Sequence, residues 1–227
     1  MDQMKRFAVY YAPRPGGFAT RTAAWLGWDA QAGVAQPTPD LADLPLPLTS
    51  LTADPAKYGF HGTIRAPFRA TVNASVLAAE VATLARRLPP VVCDGLRLQS
   101  IDGFLALTPE GGTASLLELG AAVVEATNAL RAPLTAAEIG RRRPERLTSR
   151  QRILLDQWGY PHVMEEFQFH LTLTSRLAPD IAAPVARVLT AWLAPVLPRP
   201  FVIEDLCLFG EDAGGRFQML HRYALTG

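Results

Sequence analysis

Two stretches of this chain run through the same succession of elements, and a chain built that way has few folds open to it. Phe60-His61-Gly62-Thr63-Ile64 and Phe169-His170-Leu171-Thr172-Leu173 each set histidine and threonine two places apart in an apolar run. The first run reads as a strand from Tyr58 to Phe68, the second as a strand from Phe167 to Arg176. After the first, Asn73 can cap a helix from Ala74 to about Leu88, with Val76, Leu77, Val81, Leu84 and Leu88 at helical spacing. Strands are then expected over Val91 to Ile101 and Phe104 to Thr108, joined at Asp102-Gly103. After the second, Pro179-Asp180 opens a helix to about Leu193, and strands Phe201 to Phe209 and Phe217 to Leu225 flank a turn at Asp212 to Gly215. His61 and His170 stand 109 positions apart, while Val92 to Leu98 matches Val202 to Leu208 at an offset of 110, so one net insertion separates the two alignments. Identity between the copies is low, and the order of elements carries the inference. A duplicated unit of this kind predicts an α+β fold: one bilobal domain over residues 1–227, with two antiparallel sheets and flanking helices around a central cleft, related by a pseudo-two-fold axis. The first repeat falls at about 58–110, the connecting helices at about 113–160 and the second repeat at about 165–227.

The rest of the chain fits around this frame. Phe7 to Ala12 reads as a strand ending in the turn cluster Pro13-Arg14-Pro15-Gly16-Gly17, and a short helix is expected from Phe18 to about Gly27. Residues 36–55 hold five prolines and read as an irregular connection. Between the repeats lie an apolar helix, Ser115 to about Leu130, and a helical segment from Thr135 to Trp158 carrying Arg141, Arg142, Arg143, Arg146, Arg150 and Arg152. Hydrophobic residues make up 49% and charged residues 19%, which excludes a disordered chain. A formal net charge of +1 offers no field for gripping duplex DNA or an anionic bilayer, so any anion site is local. Cys93 and Cys207 sit in apolar runs and read as small hydrophobes in a reducing compartment. The start, Met1 to Arg6, leads into an apolar run too short for a leader or a membrane span, and a cytoplasmic location is expected.

Side chains at i and i+2 of a strand share a face, so His61 with Thr63, and His170 with Thr172, form side-by-side pairs whose apolar neighbours anchor the opposite face. Two imidazoles and two hydroxyls brought together by pseudo-symmetry are what attack on a phosphodiester needs. One neutral histidine takes a proton from water, the other gives one to the departing oxygen, and Thr63 and Thr172 donate to nonbridging oxygens. The four are expected to converge in one cleft, with a bell-shaped pH dependence whose limbs lie at roughly 6 to 7.5. A single His-x-Thr is weak evidence. Two of only four histidines at one position of a repeat, each after Phe and before Thr, make coincidence the weaker reading.

On these motifs the chain resembles the two-histidine phosphoesterase superfamily, whose hallmark is two His-x-Thr/Ser-x motifs on a bilobal scaffold. Arg6 to Pro13, Trp25 to Ala30, Tyr58 to His61 and Ala66-Pro67-Phe68 are similar to the branch found with bacterial phosphonate-degradation operons. The resemblance implies a phosphoric diester hydrolase that needs no metal or cofactor and acts on a cyclic phosphate or 2′-linked phosphodiester. Position 65, often lysine in that branch, is Arg65 here. The leading substrate is a phosphoribosyl cyclic phosphate of phosphonate breakdown. The alternatives are a 2′,3′-cyclic phosphodiesterase of short RNA ends and a non-catalytic binder of phosphate ligands.

Arg65 and Arg176 share the faces of His61 and His170 by strand parity, and each either reaches a substrate phosphate or is a solvated strand-end arginine. Tyr58 is a weaker binding candidate, and Tyr11 reads as a core or edge aromatic. Arg141, Arg142 and Arg143 could meet a second phosphate or form a solvated helix face; the scarcity of acids around them favours the first. His162 and His221 lack the motif and read as structural. No HExxH, paired CxxC, carboxylate-rich loop or glycine-rich nucleotide loop occurs, so neither metal nor nucleotide cofactor is expected.

Overall fold

The computed structural model describes residues 4–227; residues 1–3, the first of the lead-in Met1 to Arg6, lie outside the described residues. The first half contains β1 (Phe7–Tyr11), α1 (Gly17–Leu26), β2 (Trp28–Asp29), β3 (Val34–Ala35), α2 (Leu48–Leu51), β4 (Gly62–Phe68), α3 (Ala74–Ala85), β5 (Val91–Cys93), β6 (Gly95–Ile101) and β7 (Phe104–Glu110). Then come α4 (Ala114–Asn128), α5 (Ala136–Arg141), α6 (Ser149–Trp158), β8 (Leu171–Thr172), α7 (Pro179–Leu193), β9 (Phe201–Ile203), β10 (Asp205–Glu211) and β11 (Phe217–Ala224). The α+β class holds, and every strand pair is antiparallel.

Local chemistry explains where the elements start and stop. The Asn73 side chain accepts from the Val76 amide and caps α3, as expected. The long basic helix expected over 135–158 is divided, because Arg143 turns left-handed (φ 49) ahead of Pro144, which has no amide hydrogen to continue a helix. Each remaining piece starts on its own capping box, Thr135 with Glu138 and Thr148 with Gln151. The long strands expected at 91–101 and 201–209 both break, at Asp94 and Glu204, so that each first piece turns out of the main sheet. Only Leu171 and Thr172 of the expected strand 167–176 pair regularly, because the amides of Leu173 and Thr174 both turn to the Leu105 carbonyl and that of Ser175 to Leu51.

The main sheet has seven strands in the order β11-β10-β1-β4-β8-β7-β6, so the two halves expected as separate sheets meet edge to edge between β4 and β8. The contact is the pair Gly62↔Leu171, and these are equivalent residues of the two repeats. A second link, β5 with β9, pairs Val92 with its own equivalent, Val202. Antiparallel pairing of equivalent residues is what a two-fold axis produces. The repeats do not each build a lobe, however. α3 lies against β10 and β11, while α7 lies against β7, so the helix of each repeat packs on the hairpin of the other, and the second histidine strand, β8, pairs with β7 of the first repeat. β1 stands between β4 and β10, the position that β7 holds beside β8, and β11 is displaced to the sheet edge.

The larger core gathers Leu77, Val81 and Leu84 of α3, Val185 and Leu189 of α7, and Phe60, Ile64, Phe169, Leu171 and Leu173 flanking the two motifs. Fully burying side chains of this size contributes about 1.5–3 kcal/mol each. Gly62 has no side chain for a specific reason: a Cβ there would sit 2.3 Å from Cζ of Phe169, whose ring closes over the junction of the two histidine strands. Cys93 and Cys207 are buried free thiols.

Candidate active site

The pairing of Gly62 with Leu171 determines what faces the cleft. One step either way, the antiparallel register sets His61 across from Thr172 and Thr63 across from His170, on the face opposite buried Leu171. A cavity of about 1210 Å³ opens over this face, and His61, Thr63 and Thr172 line it. His170 is not part of the cavity wall; it is half-buried with its ring 5.7 Å from that of Phe104, which is.

Both imidazoles are held in the same way. His61 Nδ1 lies 2.9 Å from the Gly59 carbonyl and His170 Nδ1 lies 2.8 Å from the Gln168 carbonyl, two residues back in each case. A carbonyl only accepts, so Nδ1 carries the hydrogen and Nε2 of the neutral ring has a free lone pair. Gly59 is left-handed (φ 71), and a Cβ there would meet Ala30 at 2.6 Å; the turn that aims its carbonyl at His61 needs glycine. Thr63 Oγ1 stands 3.3 Å from His61 Nε2 and can donate to it.

The two rings differ in their surroundings. His61 stacks on buried Tyr10 with centroids 4.0 Å apart, and Tyr58 tilts against it at 5.6 Å. Burial lowers the His61 pKa to about 4, with a smaller push from His170 and opposition from the Gly59 hydrogen bond. For His61 in the ligand-free site this lies below the range of roughly 6 to 7.5 expected for the limbs of the pH profile. Sequence parity missed Tyr10, although the pattern of β1 contains it: Ala8, Tyr10 and Ala12 face the cleft side, while Phe7, Val9 and Tyr11 enter the core. Tyr11 is edge-on to Phe169 and Phe201.

Arg65 is not where parity put it. The register against β1 slips between Tyr10↔Thr63 and Val9↔Arg65, so Arg65 lies across from core-facing Val9 and turns away from the His61 face. It is 1% exposed, its Nη2 lies 3.4 Å from Asn128, its charge centre is 5.3 Å from the Phe68 ring, and burial lowers its pKa to about 10. Arg143 is also corrected: the left-handed turn before Pro144 leaves it exposed and outside the cavity wall. Arg141, Arg142, Arg176 and Tyr58 do line the cavity. Arg150 pairs with Glu165, and Arg152 bonds the Leu147 carbonyl, and neither lines the cavity. Lining residues that the sequence did not single out include Lys5, Arg6, Lys57, Arg69, Phe104 and Tyr160. Among the described residues, no three His, Cys, Asp or Glu side chains converge as a metal-binding group.

A family model described as "Protein of unknown function (DUF1045)" matches residues 63–218, which contain Thr63 and the whole second motif. The chain belongs to this family. Among curated proteins, DUF1045 relatives include "Ribose 1,5-bisphosphate phosphokinase PhnN" of Laribacter hongkongensis (strain HLHK9), 38% identical over 224 residues, covering 94% of this chain and 50% of that protein. The protein of the same name from Janthinobacterium sp. (strain Marseille) is 32% identical over 222 residues, covering 94% of this chain and 49% of that one. This DUF1045 chain thus spans about half the length of the curated relatives it matches. Solved structures similar to it include E. coli LigT complexed with 3′-AMP, at 15% identity and a TM-score of 0.46 over 98% of both chains. Another, described as a phosphoesterase, has 14% identity and a TM-score of 0.44 over 98% of this chain and 99% of that one.

Proposed function

We propose that this chain is a two-histidine phosphoesterase that hydrolyses a small cyclic phosphate or phosphodiester without a metal. The observation that carries the reading is the pairing of equivalent residues Gly62 and Leu171, which brings the two His-x-Thr motifs together on one face with both Nδ1 positions tied to backbone carbonyls. Water attacks phosphorus, its proton passes to the Nε2 of one imidazole, the ester P–O bond breaks, and the other imidazole protonates the departing oxygen. Thr63 and Thr172 donate to the nonbridging oxygens as negative charge builds on them. Burial favours the neutral form of His61, which suits it to accept the proton and leaves the donor's role to His170.

The leading substrate is a phosphoribosyl cyclic phosphate. Opened at the ring hydroxyl beside the anomeric carbon, it leaves ribose 1,5-bisphosphate, the compound named for the phosphokinase relatives. No G-x-x-x-x-G-K-[ST] loop occurs in this chain, and it matches half of those proteins, so we assign their kinase activity to the other half. The test is a panel of ribose cyclic phosphates, 2′,3′-cyclic nucleotides and RNA ends in excess chelator, with His61→Ala and His170→Ala beside the unaltered chain. Turnover should fall on the order of a hundredfold or more in each variant. Full activity in either would end the two-histidine mechanism, and activity that returns only with a metal ion would replace it.

A further inference from the structure

The cavity is much larger, and more cationic, than one cyclic phosphate requires. Seven of its lining residues are Lys or Arg, against Asp54, Glu138 and Glu211. Two of these acids are taken, Glu211 by Arg6 and Glu138 by Arg69, and Lys5 donates to the Ala213 carbonyl, which leaves Lys57, Arg141, Arg142 and Arg176 on the wall with no carboxylate partner among the described residues. A cyclic phosphodiester carries one negative charge. Its volume is also a small part of about 1210 Å³.

Two of these cations rest on tyrosines of the cavity wall. Arg142 lies over the ring of Tyr160 at 4.7 Å, and Lys57 over the ring of Tyr58 at 5.0 Å, while Tyr58 is the residue tilted against His61. Tyr10, Tyr58 and Tyr160 all line this cavity. The faces of these rings are already in use. Phe217 stacks on Tyr58 at 4.9 Å, and His162 meets Tyr160 edge-on at 5.6 Å. A nucleobase would need a free aromatic face to stack upon. What this wall offers instead is hydroxyl hydrogens and two cations held in position, the donor set that suits a phosphate dianion.

Resting on the two-histidine reading of the neighbouring motifs, we propose that Arg142, Tyr160, Tyr58 and Lys57 form a second phosphate subsite, and that the substrate is a sugar cyclic phosphate bearing a separate phosphate monoester. The monoester is bound and not cleaved. It fixes the sugar so that the cyclic phosphorus lies over the His-x-Thr pairs, converting distal binding into orientation at the reacting bond.

Two measurements test this on the full chain. The first compares kcat/KM for ribose cyclic phosphates with and without a 5-phosphate. The unaltered chain should prefer the phosphorylated one, and Arg142→Ala and Tyr160→Phe should reduce that preference, Arg142→Ala by about tenfold or more, with Arg142→Lys intermediate. A preference that is absent, or that survives Arg142→Ala, overturns the subsite. The second titrates inorganic phosphate by calorimetry: two ions per chain are expected, and one in Arg142→Ala, with the melting temperature verifying that the variant folds. A single phosphate site untouched by Arg142→Ala overturns the proposal. If no cyclic phosphate is hydrolysed at all, the catalytic reading fails, and the phosphate count still decides the subsite.

Discussion

His61→Gln should flatten the acid limb of the protein's stability. In the folded chain burial lowers the His61 pKa from 6.5 to about 4, so the folded ring stays neutral over a range in which the unfolded ring takes up a proton. The unfolded state then binds more protons than the native one, and stability falls as pH drops from 6.5 to about 4, levelling off below that. With one pKa unit worth about 1.36 kcal/mol, the contribution lost between pH 7.5 and pH 4.5 is about 2.5 kcal/mol, less where the cavity side of the ring stays wet. Glutamine cannot titrate, so the variant should lack this slope whatever its stability at neutral pH. His162, also lowered by burial, titrates equally in both proteins and cancels in the difference. Urea unfolding at several pH values reads the effect: with a slope of about 2.5 kcal/mol per molar, the unaltered chain should lose roughly 1 M more in midpoint than the variant. Adding phosphate should shrink the gap by favouring the imidazolium. Parallel loss of stability in the two proteins would refute the assignment of a neutral, desolvated His61.

In the kcat/KM profile of a cyclic phosphate, the acid limb should fall near pH 4 if His61 is the proton acceptor, because activity is lost only as that ring protonates; a limb well above that would take the role from His61. Gly62→Ala should cost about 1–3 kcal/mol or more, since its Cβ would sit 2.3 Å from Phe169, and Phe169→Leu should recover part of that loss in the double variant; additive losses would place the strain elsewhere. Arg65→Met should leave stability unchanged or raise it by up to about 2 kcal/mol, because a buried guanidinium with little pairing is replaced by an apolar chain of similar length. The same variant should retain most phosphoesterase turnover, and a hundredfold loss would restore Arg65 to the site.

The repeat and its two motifs were legible because strand parity and helix caps are local properties, carried by Phe60 to Ile64, Phe169 to Leu173, Asn73 and Pro179. The α+β class followed from them. Which strands flank each histidine strand, and which hairpin each helix covers, is a non-local choice, and nothing near His61 or His170 encodes it. Arg65 was misassigned for a related reason: parity counts residues, and a register slip against β1 adds one that the sequence of β4 does not mark. Tyr10 escaped notice because its role depends on which face of β1 meets β4. Tyr160 was overlooked because it lies outside both repeats and reaches the cavity only through the fold of residues 131–168. Arg141 and Arg142 could not be told from Arg143 by charge alone, since a single left-handed turn separates them.

The exchange of hairpins between repeats bears on how this chain is made. Strand β1, near the start, is hydrogen-bonded on one side to β10, with Val9 opposite Leu208. At ordinary rates of synthesis of about 5–20 residues per second, Val9 leaves the ribosome on the order of ten to forty seconds before its partner exists. Until then β1 and β4 present an apolar edge with unmet backbone groups, the kind of surface that pairs with other chains. Closing so long a loop is also slow, because its entropy is spent before the contact rewards it. Neither half can therefore be a finished folding unit, and a chain cut in the segment between the repeats should regain structure only when both pieces are present together.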